Sequence, residues 1–262
     1  MATRTPSRWV VERRATAALA GREIRRVLSL WTQTLLPPVV TGLIFLAVFG
    51  GALGDRLDLV EDVAYVRFIL PGLLVLTVAG QAFANASTSL FQAKSEGYIE
   101  DVLTSPMRNW QLVAAYLSGG VVRGWLAALL LALIALPFAG PVEHVGLTVG
   151  ALFLTGLIFG TLGVITGIWS ETFDQHAFVA NLLITPLALL GGVFYSADRL
   201  EAPWRALTRF DPIYYLVDAT RGGWTGINDA SIAVALAVAA AAAVALYAVA
   251  VALVARGWRL KP

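Results

Sequence analysis

A chain of 262 residues with two histidines, His144 and His176, and no cysteine has few routes to covalent or metal chemistry. Thiol catalysis, disulfides and thiolate metal sites are excluded, and two histidines fall short of a histidine-based metal cluster. A hydrolase needs a nucleophile and a base at matching depth. The order of the apolar runs puts His176 toward one face of a bilayer and His144 toward the other, both away from a serine partner set. Phosphate chemistry is missing too. The lysines are Lys94, after Ala93, and Lys261, after Leu260. A phosphate-binding loop needs a Gly-Lys pair, because its backbone wraps the phosphates while that lysine reaches them. The expectation is no catalytic residue, no metal site and no cofactor held by this chain. If ATP and magnesium drive it, they act through a partner.

Two polar patterns remain. Thr77, Gln81, Asn85 and Ser89 recur every four residues within an apolar run, so they share one face of a helix. Amides in hydrocarbon are costly unless satisfied, so that face meets another helix or a hydrated path. The second pattern is a polar island from Lys94 to Arg108 between two long apolar runs. Gly97 loosens the preceding helix, and Tyr98 to Leu103 can then form a short helix. Tyr98, Ile99, Val102 and Leu103 lie on one side of it, with Glu96, Glu100 and Asp101 elsewhere. A loop that merely joins spans needs no exposed apolar side, so this one reads as a docking surface. The competing reading is a loop resting on lipid. Ser105-Pro106 reads as N-cap and first position of the next helix.

The elements that position these patterns follow from composition. Hydrophobic residues make up 58% and charged residues 14%, against about 25% charged in soluble domains, which describes a polytopic membrane protein. The net charge of +2 carries no nucleic-acid signal. Residues 1–32 form an arginine-rich segment, including Arg13, Arg14, Arg22, Arg25 and Arg26 against Glu12 and Glu23. Apolar residues recur through it from Trp9 to Trp31, which predicts an amphipathic helix on the membrane surface, although Gly21 interrupts the pattern. The late, long first apolar run reads as an uncleaved span rather than a signal peptide.

Six spans are expected, near 33–53, 66–91, 111–137, 145–169, 176–195 and 230–255, within a transmembrane domain 33–255 followed by a tail 256–262. An even number puts both termini on one side. The N-terminal arginines and Arg256, Arg259 and Lys261 make that side cytoplasmic, and the acids Asp55, Asp58, Glu61 and Asp62 place the first loop outside. Arg123 falls within the third span, and snorkelling or pairing with Glu171 or Asp174 would account for it. Gly146, Gly150, Gly156, Gly160, Gly163 and Gly167 make the fourth span a ladder for close helix contact. Every Asp and Glu lies at a span end or in a loop, which argues against a proton-driven carrier. A non-transporting membrane scaffold stays open.

The stretch after 181 narrows the choice. It contains Pro186, Gly191-Gly192, Pro203-Trp204, then Asp211-Pro212 with Tyr214-Tyr215, and Arg221. In that order, after the Gly, acidic helix and Ser-Pro of the island, these elements resemble the membrane subunit of ABC-2 type exporters, and within it the short bacterial permeases grouped with nodulation-factor and drug-efflux exporters. The resemblance covers nearly the whole chain. It departs at Asp211, where asparagine is common, which leaves the cap geometry there open.

The resemblance implies an all-α permease of the type V exporter kind in the bacterial plasma membrane, working as a homodimer with two separate ATP-binding subunits. It implies a coupling helix over Glu96, Gly97, Tyr98, Ile99, Glu100, Asp101, Val102, Leu103 and Ser105, an N-terminal interface helix, and re-entrant helices near Pro203–Phe210 and Pro212–Arg221. Together with polarity it puts a translocation path along Thr77, Gln81, Asn85 and Ser89, with an outer gate at Phe194, Tyr195 and Tyr214. The cargo expected is amphipathic or lipid-like.

Overall fold

The computed structural model describes residues 7–52, 63–197, 200–228 and 231–260. The acidic loop expected at Asp55–Asp62 lies outside them, as do Arg4, Arg199 and Lys261. The described chain is built from helices: α1 (Arg8–Ser29), α2 (Trp31–Phe45), continued by a π-helical turn Leu46–Ala52, α3 (Tyr65–Ser95), α4 (Ile99–Leu103), α5 (Asn109–Ala139), α6 (Val145–Trp169), α7 (Phe173–Leu190), α8 (Ala202–Phe210), α9 (Pro212–Thr225) and α10 (Ile232–Ala255). Among the described residues five helices are long and apolar enough to cross a membrane: α2 with its π turn, α3, α5, α6 and α10. The fifth expected span, 176–195, overlaps α7, which is not among these five. That helix has 18 residues, and its most polar ones, Asp174, Gln175, His176 and Asn181, lie in its first half.

α3 and α6 form the centre, with 67% and 72% of their apolar stretches buried against 17–28% for the other three. Lipid tails are as apolar as leucine, so helices in a membrane associate by close packing rather than by escape from water. Here the sequence provides small residues. A Cβ on Gly163 of α6 would stand 2.5 Å from the Phe83 carbonyl oxygen, and one on Gly120 of α5 would stand 2.6 Å from that of Ala82. Both helices therefore rest on the α3 backbone. The glycine ladder is used only along the second half of α6, for Gly146 and Gly150 have nothing within reach.

α3 is 31 residues long, about 46 Å at 1.5 Å per residue, and defines two ends. At one, Gly97 takes a left-handed φ of 81° and turns the chain into α4. α1 and the residues after α10 gather there, with Leu19, Ile99 and Leu260 in one apolar cluster. At the other, Gly191 at the exit of α7 meets Ile213 of α9, and α9 packs against the start of α3, where Arg221 meets Phe68. Gly21 does not break α1, which is continuous across it.

Candidate functional site

The polar face of α3 is divided between different neighbours. Thr77 donates to the Leu73 carbonyl of its own helix at 2.7 Å. Ser89, fully buried, donates to Glu23 Oε2 of α1 at 2.6 Å. Asn85 Oδ1 accepts from Arg26 Nη2 at 3.3 Å. Glu23 also pairs with Arg22 at 2.9 Å and Arg26 at 3.3 Å. A buried carboxylate persists when opposite charge and hydrogen bonds replace its water, and this one has both. The half of the stripe nearest α4 is therefore closed by α1 and lines no opening. Gln81 is half-buried with its Oε1 unpartnered. The exposed or half-exposed line on α3 is Leu76, Gly80, Gln81, Ala84 and Thr88.

α1 turns an unexpected face inward. Its buried positions are Glu12, Leu19, Glu23 and Val27, so two of its contacts with the body are carboxylates. Glu12 pairs with Arg8 at 3.0 Å and with Arg108, at the start of α5, at 3.1 Å. The available signal was that these are the acids among the arginines of residues 1–32. A charged residue is ordinarily assigned to the outside of a helix, and that hid it.

At the α4 elbow the apolar side is seated, not presented. Ile99 is 3% exposed, and Tyr98, Val102 and Leu103 pack partly buried against the cluster around Leu112 and Tyr116. The outward surface is Glu96, Gly97, Glu100 and Asp101. This corrects the expectation of an exposed apolar side: a five-residue helix stays folded by burying that side. Ser105 does not cap α5 either. Its hydroxyl donates to the Val102 carbonyl, closing α4, while α5 begins at Asn109 with the Arg108 N–H donating to Gln111 Oε1 at 2.8 Å. Before the elbow, Lys94 Nζ donates to the carbonyls of Ile168 (2.5 Å) and Ser170 (2.9 Å) at the end of α6, where a cation meets the negative end of the helix dipole. Arg22 stands 5.1 Å over the Tyr98 ring and links α1 to the elbow.

The other end holds Phe194, Tyr195 and Tyr214, about the length of α3 away. Phe194 lies 5.6 Å from Phe45 and 5.0 Å from Phe49 between ring centroids, and its carbonyl accepts from Tyr65 at 3.0 Å. Tyr195 donates to the Leu190 carbonyl at 2.6 Å, and Tyr214 is buried. Beneath them Arg221, 2% exposed, donates to the Gly192 carbonyl at 2.7 Å and lies 3.8 Å over the Phe68 ring. Asp211 Oδ1 accepts from the Ile213 N–H at 2.8 Å and caps α9, so the acid performs the cap that the departure from asparagine had left open. Burial pushes its carboxyl up to about 6, against the Ile213 hydrogen bond, which pulls it down.

Two further expectations are corrected. Arg123 pairs with neither Glu171 nor Asp174: Glu171 meets Arg259 at 3.5 Å, and Arg123 Nε is buried without a partner. His176 does have a serine, since its Nε2 lies 2.8 Å from the buried Ser87 Oγ on α3. The Phe83 carbonyl, 2.7 Å from the same hydroxyl, competes with the imidazole for its proton. That geometry ties α7 to α3, and the fully buried Ser87 hydroxyl faces no opening from which a substrate could be attacked.

The ABC-2 type transporter family profile matches residues 14–224. Inner membrane transport permease YadH of Escherichia coli (strain K12) is 35% identical over 254 residues, 97% of this chain and 98% of the relative. Nodulation protein J of Rhizobium meliloti (strain 1021) is 23% identical over 204 residues, 75% of this chain and 78% of the relative. Nodulation protein J of Rhizobium leguminosarum bv. trifolii is 24% identical over 191 residues, 72% of each chain.

Proposed function

The chain belongs to the ABC-2 type transporter family, and from that membership we propose that it is the membrane subunit of an ATP-driven exporter in a bacterial inner membrane. Two copies form the path, and two copies of a separate ATP-binding subunit supply the work with ATP and magnesium. The α4 end faces the cytoplasm, where the arginines of α1 and of the C-terminal segment gather. α1 then lies along the inner membrane surface, α7 makes the sixth crossing, and α8 and α9 re-enter from outside. α9 is packed on protein along its length, as non-spanning structure at that depth requires, while α8 rests on α9 with only Thr208 buried.

One observation carries the coupling role. The elbow is a knob rather than a hinge: Ile99 is sunk in the body, Lys94 before it grips α6, and Arg108 after it grips α1 through Glu12. A partner pressing on Glu96, Glu100 and Asp101 would move α1, α3, α5 and α6 together. The open line of α3 at Leu76, Gly80, Gln81, Ala84 and Thr88 supports a path between the two copies there, flanked by α2 and α7, and such weakly polar walls suit an amphipathic cargo.

The test is charge reversal where no core contact is lost. Glu100→Lys with Asp101→Lys, co-expressed with the cognate ATP-binding subunit, should insert and melt like the parent. It should lose at least tenfold in permease-stimulated ATPase activity, as happens when more than about 1.4 kcal/mol of docking is removed. Unchanged stimulation would sink the docking assignment.

A further inference from the structure

Between α1, α3 and the elbow lies an open groove of about 730 Å³ whose walls carry Arg22, Arg25, Arg26, Gln92 and Tyr98. Three guanidinium groups there face one carboxylate, Glu23, which is 1% exposed with its oxygens taken by Arg22, Arg26 and Ser89. The groove therefore has an excess of two positive charges. Arg25 is exposed, holds only the Gly21 carbonyl at 3.1 Å and has no ion pair among the described residues. The lip is of opposite character: Leu28, Leu30 and Trp31 are 50%, 44% and 57% exposed where α1 gives way to the apolar α2. A soluble anion needs the arginines and has no use for that lip. An anionic amphiphile needs both, and the depth is right, since tryptophan at the start of a span sits at headgroup level.

We propose that this groove binds the phosphodiester headgroup of an anionic membrane lipid. Arg22, Arg25 and Arg26 hold the phosphate, and the Leu28–Trp31 lip lies along the glycerol and upper acyl chains. Tyr98 lines the same groove, so an occupied site fastens α1 to the elbow. The inference rests on the proposed function only in assigning this end to the inner leaflet. Binding can be read without ATPase or transport, so either idea can fail alone.

The experiment is native mass spectrometry of the purified chain in a neutral detergent, titrated with phosphatidylglycerol, phosphatidylcholine or inorganic phosphate. One phosphatidylglycerol should be retained per chain, phosphatidylcholine should not, and phosphate should displace the lipid only weakly. Arg25→Gln should weaken retention about fivefold, the effect of one basic residue at a membrane surface, and Arg25→Lys should restore most of it. Arg256→Gln, which removes an exposed charge at the same end outside the groove, should change nothing. Equal retention in Arg25→Gln, or equal loss in Arg256→Gln, overturns the site. Phosphate that displaces the lipid at equal concentration overturns the lipid as its ligand.

Discussion

The two ends of the bundle are held by different forces. At the α4 end, charged side chains reach across to helices far away in sequence: Glu12 to Arg108, Glu23 to Ser89, Arg26 to Asn85, Lys94 to the last carbonyls of α6, and Arg259 to the Trp169 carbonyl at 2.9 Å. At the α8–α9 end, tilted aromatic rings and the buried Arg221 dominate, with one ion pair, Arg67–Glu143, at the rim. Charge-assisted hydrogen bonds are short and directional, whereas aromatic contacts tolerate several offsets at similar energy. Such an arrangement lets the first end move as a block and the second repack, as the proposed driven handle and passive gate would require.

Removing Arg221 should damage the α8–α9 end most. Arg221→Met leaves the Gly192 and Phe68 carbonyls short of their donor, and a cost of about 3–5 kcal/mol is expected for breaking such a buried site. Detergent melting should show it as loss of the folded peak. A variant that melts like the parent would mean that the rings alone hold this end. Glu23→Gln keeps the shape but removes the charge that Arg22, Arg26 and Ser89 share. It should cost ~2 kcal/mol and make tryptic cleavage within α1 faster without affecting α8. Protection of α1 equal to the parent would break the contrast.

The smallest effect is a pH response confined to the gate. The Asp211 carboxyl is raised to about 6 in the fold, so the folded state holds its proton more tightly than the unfolded chain. That contribution to stability is complete below about 4 and is lost as pH rises through 6. Relative to Asp211→Asn, which retains the capping oxygen, the parent should lose on the order of 2–4 °C in melting temperature between pH 4 and 7. Parallel curves for the two proteins would show that this end does not titrate.

The long apolar runs were plain in the sequence because each is nearly uniform, and Asp211-Pro212 marked the start of α9 to the residue. The island at 94–108 was legible as a break, but which side of α4 faces outward was not. Periodicity groups Tyr98, Ile99 and Leu103 on one face without saying what covers that face. The same gap affected the stripe: a spacing of four put Asn85 and Ser89 together, and only the fold brings Arg26 to the first from 59 residues away and Glu23 to the second from 66. Ser87 and His176 are separated by 89 residues, and no local pattern announces such a pair. α7 was the least regular of the six apolar runs, because Asp174, Gln175, His176 and Asn181 interrupt its first half.

The grip of Lys94 on α6 also imposes an order of biogenesis. Its partner carbonyl at Ile168 is made 74 residues later, roughly 4–15 s at the usual pace of translation. Glu23, already waiting for Ser89, belongs to a helix that can wait in water, but Lys94 ends a helix that enters lipid early. Until α6 arrives, the elbow is a nascent, unlatched joint that quality-control proteases can sample. A mutation that merely delays α6 could therefore lower the yield of the transporter without altering the finished molecule.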